Sequence, residues 1–260
     1  KVPVKVGLQR LSLVKDLLNR NLTYNITDPL SVTQLEWNTT NKVGAAKRTM
    51  RPDARGENKL PIMLPNRLPI YLTTDNFEID IRTLKQSQRV GMPLDTTLAE
   101  WCFRSVNEAF EDAAINGATT LDGVALQAAG YTAPGILNAP NAEAKVLTAA
   151  AWSTVPVGLT VYNETQAMVQ QLKANKKYGP YGLYVGTVVA GALDADYDTV
   201  SGSRGTTIRE RILKIEGLEF VHTADFMPAT KVALIQMTSD VIDLVVGQVR
   251  EGRPQFGERD

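Results

Sequence analysis

Apolar positions along the 260-residue chain change their spacing several times, and each change marks an element. Leu8, Leu11, Val14, Leu17 and Leu18 recur every three or four positions, the period of a short amphipathic helix over 8–20. The following "NLTYNITDPLSVTQLEW" is rich in Thr, Tyr, Ile and Val and predicts extended chain. Residues 1–41 are too few to enclose a core and read as an arm. Further on, Phe77, Ile79 and Ile81 alternate with Glu78, Asp80 and Arg82, which predicts a half-buried strand over 73–85.

The strongest helical pattern comes next. Leu98, Trp101, Cys102, Val106, Ala109, Phe110 and Ala113 share one face of a rod from Thr97 to Asn116, about 30 Å long at 1.5 Å per residue. Thr97 followed by Glu100 fits a capping box, and Gly117 is placed to end the helix in a left-handed conformation. Leu98, Trp101, Cys102, Val106 and Phe110 form the predicted core face, with Cys102 a buried thiol.

Residues 118–150 are small and loop-like. A helix follows at 161–177, then a strand at "PYGLYVG", a helix at "TVVAGALDA", a polar loop, and a helix at "TTIRERILKI" capped by Thr206 or Thr207. Three strands close the series at "LEFVHTA", "TKVALIQMT" and "VIDLVVGQV". This order predicts an α/β or α+β domain around a central sheet.

Residues 42–72 fit none of these periods. Pro61, Pro65 and Pro69 argue for an edge strand or an extended arm, because proline cannot donate to a ladder. Two limbs joined by a turn at "RPDARGE" make a long hairpin. From Lys42 to Lys59 six basic residues face two acids. So polar a hairpin is not stable alone and needs another surface. Lys47, Arg48, Arg51, Arg55, Glu57 and Lys59 are the candidate contact residues. Their carboxylate partners are sought among Glu100, Glu108, Glu111 and Asp112 on the rod, or Asp75, Glu78 and Asp80. A nucleic-acid contact and a plain solvated loop stay open, although residues 42–70 lack aromatic stacking groups.

Charge sharpens the partner question. Lys+Arg and Asp+Glu both number 28, a balance that argues against a dedicated nucleic-acid binder and suits packing against copies of the same chain. One histidine and one cysteine supply neither a triad nor a typical zinc site, so no catalyst, cofactor or metal is expected. His222 lies in a strand-like run and reads as a structural residue. "DADYD" (194–198) fails the EF-hand pattern at its sixth and twelfth positions. No apolar run reaches membrane-spanning length, and "KVPVKVGLQRLSLV" is not a signal peptide.

The order of parts carries a resemblance. A hairpin bearing "RGEN", then "LPIYLTTDNFEIDIRTL", then "PLDTT" opening a rod-like helix, then "GILNAP" and a compact domain with "YGPYGLYVG" resemble the major capsid proteins of tailed bacteriophages and the related encapsulin shells. The resemblance implies an α+β Hong-Kong-97-type fold. It assigns 1–41 to an N-terminal arm along a neighbour and 42–72 to an extended loop over the adjacent subunit. Residues 73–137 become a peripheral domain with spine helix 96–117, residues 138–240 an axial domain, and 241–260 a return to the peripheral domain. It implies a non-enzymatic shell protein assembled in a bacterial host into an icosahedral virion around double-stranded DNA, the alternative being an encapsulin-type shell around a cargo enzyme. Its partners would be copies in pentamers and hexamers, a decoration protein, a scaffold, a portal and packaged DNA. Some relatives cross-link a loop lysine to an asparagine, for which Lys47 or Lys59 would serve. Relatives usually add a final strand, which this sequence is expected to lack, and a start at Lys1 would suit a removed scaffolding segment.

Overall fold

In the computed structural model the described residues are 10–28, 31–40, 48, 50, 60–75, 80–90, 94–118, 120–121, 124–125, 133–153, 155–197 and 205–247. The frame is a three-stranded sheet. β6 (Tyr181–Val185) lies centrally, parallel to β7 (Leu218–Thr223) and antiparallel to β8 (Val232–Gln236). All five residues of β6 are buried, which requires cover on both faces.

One face carries Tyr181, Leu183, Val185 and Val221. It packs on α4 (Gly158–Ala174), α5 (Thr187–Leu193) and α6 (Ile208–Ile212) through Val161, Val169, Val189, Leu193, Ile208 and Ile212. Thr207 caps α6, its hydroxyl accepting from the Glu210 amide at 3.2 Å. The opposite face carries Tyr184 and Ile235, with Phe220 beside them. The Phe220 ring lies where Gly182 has no side chain: a Cβ there would stand 2.3 Å from it. The register steps from Tyr181↔Leu218 to Gly182↔Phe220, passing over Glu219, so Leu218 and Phe220 reach opposite faces.

That second face is covered by the N-terminal residues. α1 (Leu13–Asn19) buries Leu13 and Leu17, and with Leu22 they join Ile115 of α3 (Leu94–Asn116) against Tyr184, Ile235 and Met237. β1 (Thr23–Asn25) pairs in parallel with β9 (Leu244–Val246). Within the expected arm, 1–41, residues 13–25 pack on their own subunit. Residues 13–25 are part of the subunit's core, because the sheet offers an open apolar face that their leucines close. Leu13 is buried, whereas Leu18 of the predicted stripe is half-exposed. β9 likewise leaves the central sheet for β1.

Two further expectations change. Ile81–Val90 forms a helix, α2, where a strand over 73–85 was predicted; residues 76–79 lie outside the described residues. Two or three alternations before "RTLKQSQRV" are a weaker signal than ten residues of which six, Arg82, Leu84, Lys85, Gln86, Gln88 and Arg89, are good helix formers. α3 begins at Leu94, so Thr97 and Glu100 sit inside it rather than forming its cap. It spans about 35 Å. Gly117, at φ +81°, follows its last residue as expected, and a side chain there would strike the Ala133 carbonyl.

The last element is a two-stranded ribbon. β2 (Gln34–Thr40) runs antiparallel to β3 (Met63–Pro69) from Gln34↔Pro69 to Thr40↔Met63. The first of these strands precedes the hairpin expected over 42–72, whose turn at "RPDARGE" and most of whose limb in "VGAAKRTM" lie outside the described residues. β4 (Thr120–Leu121) and β5 (Val124–Ala125) form a minor pair.

Candidate functional site

The ribbon and α3 hold the residues singled out from the sequence. Facing residues of an antiparallel pair point to the same side, and successive pairs alternate. One side therefore bears Leu35 with Leu68, Trp37 with Asn66, and Thr39 with Leu64. The other bears Gln34 with Pro69, Glu36 with Arg67, Asn38 with Pro65, and Thr40 with Met63. Every charge in the two strands lies on the second side, where Arg67 Nε meets Glu36 Oε1 at 2.8 Å. The first side is apolar except for Thr39 and Asn66, and the Asn66 side-chain amide donates to Thr39 Oγ1 at 3.1 Å. Trp37 is 45% and Leu64 52% exposed. Among the described residues the ribbon belongs to no larger sheet, and neither strand has more than marginal contact with an element beyond the other.

Its foot is fixed to α3. The Ile70 amide donates to Thr33 O at 2.9 Å and closes the base. Partial burial and the nearby Asp112 carboxylate push the Tyr71 phenol up. Four residues on, Asp75 hydrogen-bonds the Cys102 thiol, which partial burial and that carboxylate push up.

The predicted site residues separate on α3. Cys102, Val106, Phe110 and Leu98 are half-buried, as a core-facing stripe requires. Trp101 is not core: 47% of its surface is exposed, with Phe103 similar. Half-exposed positions and residues of the same helical period look alike in sequence when a rod is covered on only one side. Glu111 also requires correction as an acidic partner for another subunit. It is 1% exposed, and its carboxylate oxygens accept the Leu13 amide at 2.7 Å and the Val14 amide at 2.9 Å. It stands at the N-terminus of α1, where orphan amides and the helix dipole favour an anion. Glu108 is held by Arg104 one turn away. Asp112 accepts from the Asn116 side chain at 2.7 Å, which also donates to Phe226 O at 2.9 Å. Glu100 and Asp112 are exposed, and so are Asp75 and Asp80. Of the basic candidates only Arg48 is described, and it is exposed; Lys47, Arg51, Arg55, Glu57 and Lys59, like Glu78, lie outside the described residues.

The remaining polar residues build structure. His222 Nδ1 lies 2.7 Å from Asp16 Oδ2, which also accepts the Tyr184 hydroxyl at 2.9 Å, so the histidine helps tie α1 to the sheet. Burial first, then Asp16, pushes the Tyr184 phenol far up. Asp194 of the acidic loop pairs with Arg209 at 2.9 Å. Among the described residues no group of three or more His, Cys, Asp or Glu could hold a metal, and no helix is long and apolar enough to cross a membrane. The apolar ribbon side escaped the sequence reading. Its signal was present: Leu35 and Trp37 alternate with Glu36 and Asn38, and Leu64 and Leu68 with Pro65 and Arg67.

A family model matches residues 66–254; it describes a family of unknown function, DUF6260. The chain belongs to this family. No curated protein matches it. Solved structures do. The capsid of Myoviridae phage XM1 is 11% identical with a TM-score of 0.62, over 85% of this chain and 72% of that one. The capsid of an empty GTA particle is 15% identical with a TM-score of 0.58, over 91% and 77%. A structure of Mycobacterium phage Ogopogo is 14% identical with a TM-score of 0.58, over 86% and 67%. The chain of this DUF6260 member therefore has a mixed α and β fold like that of phage capsid subunits.

Proposed function

We propose that this chain is a structural shell subunit of a tailed-phage capsid, one that self-assembles into a closed icosahedral container for double-stranded DNA. Its fold likeness to capsid chains supports the reading. The observation that carries it is the ribbon, which among the described residues joins no larger sheet and leaves Trp37 and Leu64 about half exposed. An isolated hairpin is marginal in water, so this one is completed by a surface on another subunit. In this reading the ribbon is the extended loop, α3 the spine of the peripheral domain, and the β6–β8 sheet with α4–α6 the axial domain. Pentamers and hexamers of the chain, a portal, a scaffold and a decoration protein are the partners. The encapsulin alternative has no separate observation in its favour.

Purified protein examined by sedimentation velocity and negative-stain microscopy over a concentration series should form closed shells; a monomer at every concentration would overturn the reading. The basic stretch tests its polar part. Arg51→Glu with Arg55→Glu replaces forks that suit carboxylates with like charges, and should leave the circular dichroism unchanged while abolishing closure. Normal shells from that double variant would remove the ionic contact.

A further inference from the structure

The turn between α6 and β7 lies against α4 and leaves a cleft of about 160 Å³ between them. The turn is held by its own backbone. The amides of Lys214, Ile215 and Leu218 donate to Arg211 O at 3.2 Å, Ile212 O at 2.9 Å and Ile215 O at 3.1 Å. Val169 and Ile215, both buried, line the cleft with the half-buried ring of Tyr162. Its polar lining is Lys173, Lys214 and Glu216, with the Gln166 and Gln170 carboxamides one turn apart on α4. We infer that this cleft binds a small organic carboxylate, its apolar body on Val169, Ile215 and Tyr162 and its charge on Lys214. The inference does not depend on the shell reading.

Charge sets the class of ligand. Lys173 Nζ lies 3.2 Å from Glu216 Oε2, so those two charges offset each other. Among the described residues Lys214 has no ion pair, and the Gln166 and Gln170 side chains have no hydrogen bond. The lining therefore carries one net positive charge and two uncommitted carboxamides. Arg211 adds a cation at the edge, its guanidinium carbon 5.9 Å from the centre of the Tyr162 ring. The end of α4 does not oppose an anion through free carbonyls. The Gln171, Leu172 and Lys173 carbonyls already accept the Asn175, Lys177 and Lys176 amides. One free ammonium matches one carboxylate, whereas a phosphate dianion would bring its second charge up to Glu216. Size sets the body. A cavity of about 150 Å³ holds benzene, so a group of that size fills the cleft. The shared chemistry is a carboxylate on an apolar body, as in a free acid or at the end of a peptide chain.

Saturation-transfer NMR titrations of the full-length protein test the site. The probes are benzoate for a free acid, N-acetyl-leucine for a chain end, and benzamide as the uncharged isostere of benzoate. At least one of the two acids should saturate with a Kd on the order of 1 mM, the scale open to so few atoms. Tighter binding of benzoate assigns the site to a free acid, and tighter binding of N-acetyl-leucine to a chain end. Benzamide should bind about tenfold more weakly than benzoate, the worth of a charged hydrogen bond. Lys214 is exposed, so Lys214→Ala should keep the wild-type melt and weaken the acids by about tenfold, while Lys214→Arg retains them. Lys231→Ala is the control for general attraction to lysines. Lys231 is exposed and its carbonyl accepts the Gly186 amide, beyond the end of β6 away from Leu218 and the turn. That variant should bind as wild type does. Lack of saturation by either acid, full affinity in Lys214→Ala, benzamide binding as tightly as benzoate, or equal losses from Lys214→Ala and Lys231→Ala would each overturn the inference.

Discussion

Trp152→Ala is expected to destabilise the subunit by about 3–5 kcal/mol, the usual cost of emptying a large aromatic site. For a chain of this size each kcal/mol lowers Tm by about 2–4 °C, so differential scanning calorimetry should show a drop of roughly 10 °C. The side chain is 2% exposed and lies in the cluster formed by Val161, Val169, Leu183 and Ile212. Its indole Nε1 donates to Glu164 Oε2 at 2.5 Å, and Glu164 also accepts the Thr148 hydroxyl at 2.7 Å. The alanine variant therefore loses packing and leaves a carboxylate with one partner fewer. Trp101→Ala is the control: at 47% exposure it should change stability by less than about 1 kcal/mol. Equal melts for the two variants would mean that the core has been placed at the wrong end of the molecule.

That contrast shows what the amino-acid pattern could and could not reveal. β6, α5, α6 and β7 were legible because each is short, strongly patterned and bounded by Gly or a capping Thr, and β8 because it is a short apolar run. α3 was legible in type and at its C-terminal end, where Gly117 stops it. What could not be read was which side of an element meets protein and which meets water. Trp101 and Trp152 are equally apolar in sequence, and only the sheet's first face distinguishes the buried one. The same holds for the leucines near the start of the chain. Leu13, Leu17 and Leu22 cannot enclose a core, but they complete one supplied from about 170 residues away by Tyr184. In the ribbon, three prolines mark β3 as extended, whereas the alternation in β2 is too short to separate a paired strand from an arm.

Glu111→Ala is the second large effect, and it tests how the N-terminal residues are held. The carboxylate reaches α1 from α3, 97 and 98 positions along the chain from the two amides it accepts. Removing it strands those amides in an interface closed by Leu13 and Ile115. Each unsatisfied buried donor costs about 1–3 kcal/mol, so a loss of about 3 kcal/mol is expected, or roughly 6–12 °C in Tm. Glu111→Gln, which keeps one acceptor oxygen, should fall between. The pH dependence has a definite sign. Burial pushes the Glu111 carboxyl above its ordinary value, against the backbone amides of Val14, Leu13 and Ser12 that pull it down, and Asp16 adds to the rise. A carboxyl raised on folding contributes stability that is complete below its unfolded value and declines as pH rises through the folded one. The margin of wild type over Glu111→Gln, which does not titrate, should therefore be larger near about pH 4 than at about pH 7. A margin that grows towards neutral pH would mean that the amides outweigh the burial, and that the carboxylate is held ionised as an anchor for α1.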